Sequence, residues 1–126
     1  MSGSGGEKSG TGGQSTPRRL PSSVHSAVPG RLACSVQGRD RGRFYLVVGT
    51  QGDNFVLVAD GVVRKVERPK KKNVKHLVFY DLVAESIAGR LSAGRRVTNE
   101  ELQSELENLV LAFEVSTTEK EVGLKT

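Results

Sequence analysis

Gln37-Gly38-Arg39-Asp40-Arg41-Gly42-Arg43, followed at once by Phe44-Tyr45-Leu46-Val47-Val48-Gly49, is the stretch that decides the reading of this chain. A seven-residue polar loop with two glycines and three alternating arginines runs into a β-branched and aromatic segment with strand composition. On its N-terminal side, Arg31 to Val36 reads as a strand with Leu32, Cys34 and Val36 on one face. On its C-terminal side, Gly52-Asp53-Asn54 forms a short hairpin connection to a strand over Phe55 to Ala59. Asp60-Gly61 is a second tight turn, leading to an expected fourth strand, Val62-Val63-Arg64-Lys65-Val66. Pro69 interrupts the run because it has no N–H for a ladder, and Val74 to Tyr80 supplies a short fifth strand. Short strands joined by tight turns, with no helix between them, predict a mostly β fold built on a small closed or half-open barrel.

Two helices are expected after the strands. Val83, Ile87 and Leu91 recur at helical spacing and Gly94 stops that segment. Thr98-Asn99-Glu100-Glu101 has the capping-box pattern, in which the Thr98 hydroxyl accepts from the Glu101 amide and the Glu101 carboxylate reaches back. Leu102, Leu106, Leu109 and Phe113 then form an apolar stripe ending near Val115, suited to packing on the sheet or on the first helix. Residues 1–29 are rich in Gly, Ser, Thr and Pro and carry almost no apolar side chain before Leu20, so they read as a disordered tail. The expected organisation is therefore a tail over 1–29, a barrel over 30–80, a helical pair over 81–115 and a frayed end over 116–126.

The net charge of +5 conceals a sharp asymmetry. Residues 31–80 hold 11 basic and four acidic side chains, whereas residues 81–126 hold five basic and nine acidic ones. A basic module beside an acidic one is the distribution of a chain that binds a polyanion through one part only. Arg39, Arg41 and Arg43 alternate, so an extended loop would project them to one side, each able to fork onto a phosphate. Arg64, Lys65, Arg68, Lys70, Lys71, Lys72 and Lys75 come from the far end of the strand set, and a barrel can merge both groups into one surface. The five aromatics of the strand region, Phe44, Tyr45, Phe55, Phe79 and Tyr80, fall at core positions by pattern. Recognition of folded RNA by backbone and shape is therefore expected over stacking on single strands.

Nothing in the chain assembles a catalytic centre. There is no phosphate-binding loop ending in Lys-Ser or Lys-Thr, and Asp40, flanked by arginines, is expected to shape its loop by accepting from backbone amides. The single cysteine, Cys34, permits neither an intramolecular disulfide nor a cysteine-based zinc site, and reads as a small core residue. His25 and His76 offer that thiol no recognisable base; His76, beside the lysines, suits base stacking or a structural role equally. These features exclude an enzyme as the expectation, with no cofactor, metal or small-molecule substrate. No apolar run approaches the ~18 residues of a membrane span, and the N-terminus lacks the apolar core of a signal peptide, so a cytoplasmic protein is expected.

The order of these elements resembles a known family. Gly30 to Arg43 followed by Phe44 to Val48 looks like a KOW motif, in which a basic, glycine-containing loop joins two strands of an SH3-like barrel; Gly42 matches the motif's glycine. The continuation through Asn54 to Gly61, Val63 to Val66 and Pro69 to Leu77, with Val97 to Leu102 behind it, is similar to short bacterial KOW proteins. Those proteins are named after the eukaryotic-type large-subunit ribosomal protein L-fourteen-e. The resemblance spans about residues 30–113 and implies an SH3-like barrel, RNA binding and association with ribosomes, the implied partners being ribosomal RNA and the large subunit. Carried over by position, it implies RNA contacts at Arg39, Arg41, Gly42, Arg43, Arg64, Lys65, Arg68 and the segment Lys70, Lys71, Lys72, Lys75. KOW barrels also dock on proteins, which keeps open a second expectation, an interaction adaptor for a translation or transcription factor.

Overall fold

The computed structural model describes residues 17–125, with side chains through residue 115. Its strands are β1 (Arg19–Leu20), β2 (Arg31–Ser35), β3 (Phe44–Gln51), β4 (Phe55–Ala59), β5 (Lys70–Asn73) and β6 (Leu77–Val83). They form one antiparallel sheet in the order β1-β6-β2-β3-β4-β5, and the helices α1 (Glu85–Ser92) and α2 (Asn99–Lys125) follow. The mostly β class with a C-terminal helical pair is as read from the sequence. The described ladders leave β1 and β5 as the two edges, so the hydrogen bonding does not run round a closed ring.

Both faces of the sheet are covered, because β2, β3 and β4 alternate between two cores. One face curls round Ala33, Tyr45, Val47, Val56, Val58, Val74, Leu77 and Phe79. The other carries Leu32, Leu46 and Ala59 against Ile87 of α1 and Leu102 and Leu106 of α2. Phe113 adds an edge-on ring contact to Phe44 and a tilted one to Tyr80, with centroids 5.5 and 4.8 Å away. The stripe of leucines on α2 thus packs on the sheet and on α1, and the Arg90–Glu101 ion pair ties the two helices together. The capping box forms as expected: the Thr98 hydroxyl accepts from Glu101 N–H and the Glu101 carboxylate accepts from Thr98 N–H, both at 3.1 Å.

Four local expectations are corrected. Residues 1–16 of the expected tail lie outside the described residues, but 17–29 are built into the fold. Arg19 and Leu20 pair with Tyr80 and Phe79, Ser22 Oγ donates to the Leu77 carbonyl at 3.1 Å, and Ala27 is buried. Three apolar groups, Leu20, Val24 and Ala27, suffice because they pack on the inner core while β1 pairs with the edge of β6. Second, Val62 to Val66 is a loop instead of a strand. Asp60 Oδ1 accepts from the amides of Val62 (2.9 Å) and Arg64 (2.8 Å), and the Arg64 carbonyl accepts from Asp60 and Gly61, so these groups are unavailable to a ladder. Third, the strand that follows β4 is the lysine segment itself, β5, with Phe55 opposite Asn73 and Val58 opposite Lys70. An edge strand carries lysine well, since charge there discourages pairing with another chain. Fourth, Val83 ends β6 instead of opening a helix, and α2 continues to Lys125 where a frayed end was expected after Val115.

The turn after β4 is seated on the helices. Gly61 has φ +83° and its Cα faces the first turn of α2, where an added Cβ would lie 2.5 Å from the Asn99 carbonyl oxygen. That contact is with backbone and cannot rotate away. Gly61→Ala is expected to cost about 2 kcal/mol, combining left-handed strain with the displacement of α2, read as a lower urea midpoint at unchanged slope. A change below about 0.5 kcal/mol would show that the turn is not held against the helix.

Candidate nucleic-acid interface

The loop between β2 and β3 folds over a polar cluster at the mouth of the inner core. Asp40, whose side chain is only 9% exposed, receives the Ser35 hydroxyl at 2.8 Å, the Tyr45 hydroxyl at 2.7 Å and the Lys72 ammonium at 3.0 Å. Lys70 Nζ lies 3.4 Å from its other oxygen. Burial by itself would push the Asp40 carboxyl up; the hydrogen bonds from Tyr45, Ser35 and Lys72, with the charge of Lys72, outweigh it and hold the group well below the usual carboxylate range. Tyr45 is displaced the opposite way, first by burial and then by donating to Asp40. Cys34, half-buried next to this cluster, has its thiol pushed up by burial and then by the Asp40 charge. Asp40 does shape its loop, though through side-chain donors from three strands instead of the backbone amides expected. Asp60 is the residue that gathers backbone amides.

Lys72 is the residue whose assignment changes most. Its side chain is 6% exposed, and its ammonium donates to Ser35 Oγ (2.9 Å) and to Asp40. β5 and β2 are separated in the sheet by β3 and β4, so this reach measures how tightly the sheet coils. Lys72 is an internal counter-charge and does not present a cation to a ligand. Lys70 is partly held by the same carboxylate, and Lys71, on the other face of β5, lies over the Phe55 ring at 4.5 Å. Lys75 is exposed in the 3-10 turn Val74–His76, on neither of the two loops; beside it the Val74 amide donates to the Asn54 carbonyl and the His76 carbonyl accepts from Val36, next to the β2–β3 loop.

The remaining cations lie on two loops that meet. Arg39, Arg41 and Arg43 are exposed on the β2–β3 loop, where Gly42, at φ +89°, turns its N–H onto the Ser35 carbonyl at 2.7 Å. Arg64, Lys65 and Arg68 are exposed on the β4–β5 loop. Arg43 joins the two, 3.6 Å from Asp60. Asn99, the first residue of α2, fixes the second loop: its Oδ1 accepts from Val66 N–H at 2.7 Å and its Nδ2 donates to Glu67 at 2.9 Å. Sequence reasoning missed Asn99, having read it only as part of the capping box, and it missed the role of Ser35. Among the described residues there is no group of three His, Cys, Asp or Glu placed to hold a metal, and no helix is long and apolar enough to cross a membrane.

Fold and site together define a small, mostly β protein whose two neighbouring loops carry six exposed cations at one end of a helix-backed sheet. The chain belongs to the family of YbzG from Bacillus subtilis (strain 168), to which it is 44% identical over 54 residues, covering 43% of this chain and 73% of that protein. YbzG carries the provisional name of a ribosome-binding protein. No family model matches the chain.

Proposed function

We propose that this protein is a non-catalytic, ribosome-associated RNA binder whose two basic loops grip structured RNA through its phosphates. The observation that supports the reading is that the loop bearing Arg39, Arg41 and Arg43 meets the loop bearing Arg64, Lys65 and Arg68 at the Arg43–Asp60 contact, with all six side chains exposed. Clustered guanidinium groups favour an oxygen-rich polyanion, since each can fork onto a phosphate. The aromatics support folded RNA over single strands: Tyr45 and Phe79 are buried, Phe44 and Tyr80 pack on Phe113, and Phe55 lies under Lys71. The ribosome-binding name of YbzG and the resemblance to KOW proteins support ribosomal RNA, with the large subunit as the assembly. Cytoplasmic localisation follows from that partner.

Sedimentation of cell lysate through sucrose, with and without ribonuclease, tests the proposal. Co-migration with the large subunit, lost in ribonuclease and stripped by high salt, is the expected result. Migration at the top of the gradient in every condition would overturn it. A partner retained after complete RNA digestion would move the protein to the adaptor class.

A further inference from the structure

The turn between β4 and β5 presents two large aliphatic side chains to solvent with no partner. Val62 is 52% exposed and Val63 is 63% exposed; among the described residues Leu111, at 60%, and Val115, at 46%, are comparably exposed large apolar groups, but neither has such a neighbour next to it in the chain. They do not sit on a floppy tip. Asp60 Oδ1 holds the amides on either side of Val63, the Arg64 carbonyl closes the turn on Asp60 and Gly61, and Asn99 anchors Val66 beyond it. Two adjacent valines held in place form a small apolar patch that a partner can cover. What surrounds the tip selects the partner: Arg64 and Lys65 follow it directly, and Arg43 reaches Asp60 at its base.

We infer that the Val62–Val63 tip enters the wide, shallow groove of an RNA duplex, lying on ribose and base edges while Arg43, Arg64 and Lys65 engage the phosphates that border it. The inference rests on the proposed RNA-binding function and adds where and how the RNA is held. The A-form minor groove is shallow enough for short side chains to reach its floor, and it offers the apolar faces of ribose beside hydroxyls. Aliphatic side chains at a cationic rim are also the means by which other proteins press against a minor groove. A single strand would call for an aromatic platform, and the tip carries none.

The groups make separable contributions. Phosphate contacts by cations appear in the salt dependence of binding, at about 0.7–0.9 log units per log unit of salt for each phosphate neutralised. Aliphatic contact changes affinity without releasing ions. The experiment compares the full chain, the double variant Val62→Ser/Val63→Ser and the variant Arg64→Gln, by fluorescence anisotropy over a salt series. The probes are an RNA hairpin with a stem of about 16 base pairs and a uridine single strand of equal length.

Val62→Ser/Val63→Ser is expected to bind the hairpin roughly tenfold more weakly with an unchanged salt slope, the size expected from losing about one valine's worth of burial. Arg64→Gln is expected to lower the slope by about one phosphate. Both positions of the double variant are exposed and their backbone bonds are untouched, so its thermal midpoint should match the parent. Hairpin affinity equal to the parent overturns the inference and leaves the basic loops as the binding surface. An equal loss on the uridine strand overturns the duplex-groove assignment, and a slope reduced as far as in Arg64→Gln overturns the aliphatic contact. Absence of hairpin binding by the parent at low salt overturns the RNA-binding proposal itself.

Discussion

Asp40→Asn is expected to unfold at a markedly lower urea concentration than the parent, by about 3 kcal/mol, the largest single-residue effect on stability among those considered. The substitution keeps the shape of the side chain, so the cost is electrostatic. Lys72, 6% exposed, loses the only carboxylate it touches among the described residues, and the amide must turn its NH2 towards one of two donating hydroxyls, Ser35 or Tyr45, because these reach different oxygens of Asp40. Stranding one member of a buried pair costs about 3–5 kcal/mol; the lower end applies here because the cluster lies beneath a surface loop. Lys72→Met is expected to cost less, since Asp40 then keeps Lys70 and both hydroxyls. The same carboxylate makes stability depend on acid. Its pKa is depressed in the folded state relative to about 3.9 in the unfolded chain, so the native state binds fewer protons than the unfolded one. Its contribution is fully present above about pH 5 and is lost progressively as pH falls below about 4. The parent's midpoint should fall through that window, and the Asp40→Asn midpoint should fall less steeply. A parent and variant that differ by less than about 0.5 kcal/mol at neutral pH would show that Lys72 finds water or another partner.

Arg39→Glu/Arg41→Glu is expected to weaken binding to structured RNA more than 100-fold at physiological salt and to leave stability nearly unchanged. Turning an attraction into a repulsion is worth about 2 kcal/mol per site for charges some 4 Å apart in water, so two sites together exceed the 2.7 kcal/mol of a 100-fold change. The salt slope should drop by about 1.4–1.8, two phosphates' worth. These two arginines are the right pair because they are exposed and, among the described residues, tied to no carboxylate. Arg43 is less suitable: a glutamate there would face Asp60 and loosen the turn that carries Val62 to Lys65, confusing binding with folding. Anisotropy titrations over a salt series with parallel urea melts separate the two readouts. Binding retained at parental affinity would remove the β2–β3 loop from the interface.

Much of this molecule was legible in the chain. Phe44 to Val48 and Phe55 to Ala59 announced their strands through β-branched and aromatic content, and the Thr98–Glu101 box and the leucine stripe announced α2 and its buried face. These are local signals, set by backbone sterics and by the period at which apolar side chains recur, and no distant residue is needed to produce them. That the loop after the first long strand could approach the segment after Ala59 was also open to anticipation, because such loops can meet when a sheet curls.

What the chain could not disclose is where charge turns inward. Lys70, Lys71 and Lys72 are three identical side chains in a row, and by sequence they are one basic patch. The pleat sends successive residues to opposite faces, and the coil of the sheet carries β5 round to β2. Lys71 therefore lies on Phe55 outside, while Lys72 enters the core to meet Ser35 and Asp40. Likewise, Val62 to Val66 has every local mark of a strand and is a loop, because Asp60 and Asn99 take up its amides first. Composition and period thus determined which segments are strands and helices and which region is cationic. Only the tertiary structure decided which cations are presented and which one is an internal counter-ion, since that depends on which partners are brought within 3 Å across strands and helices distant in sequence.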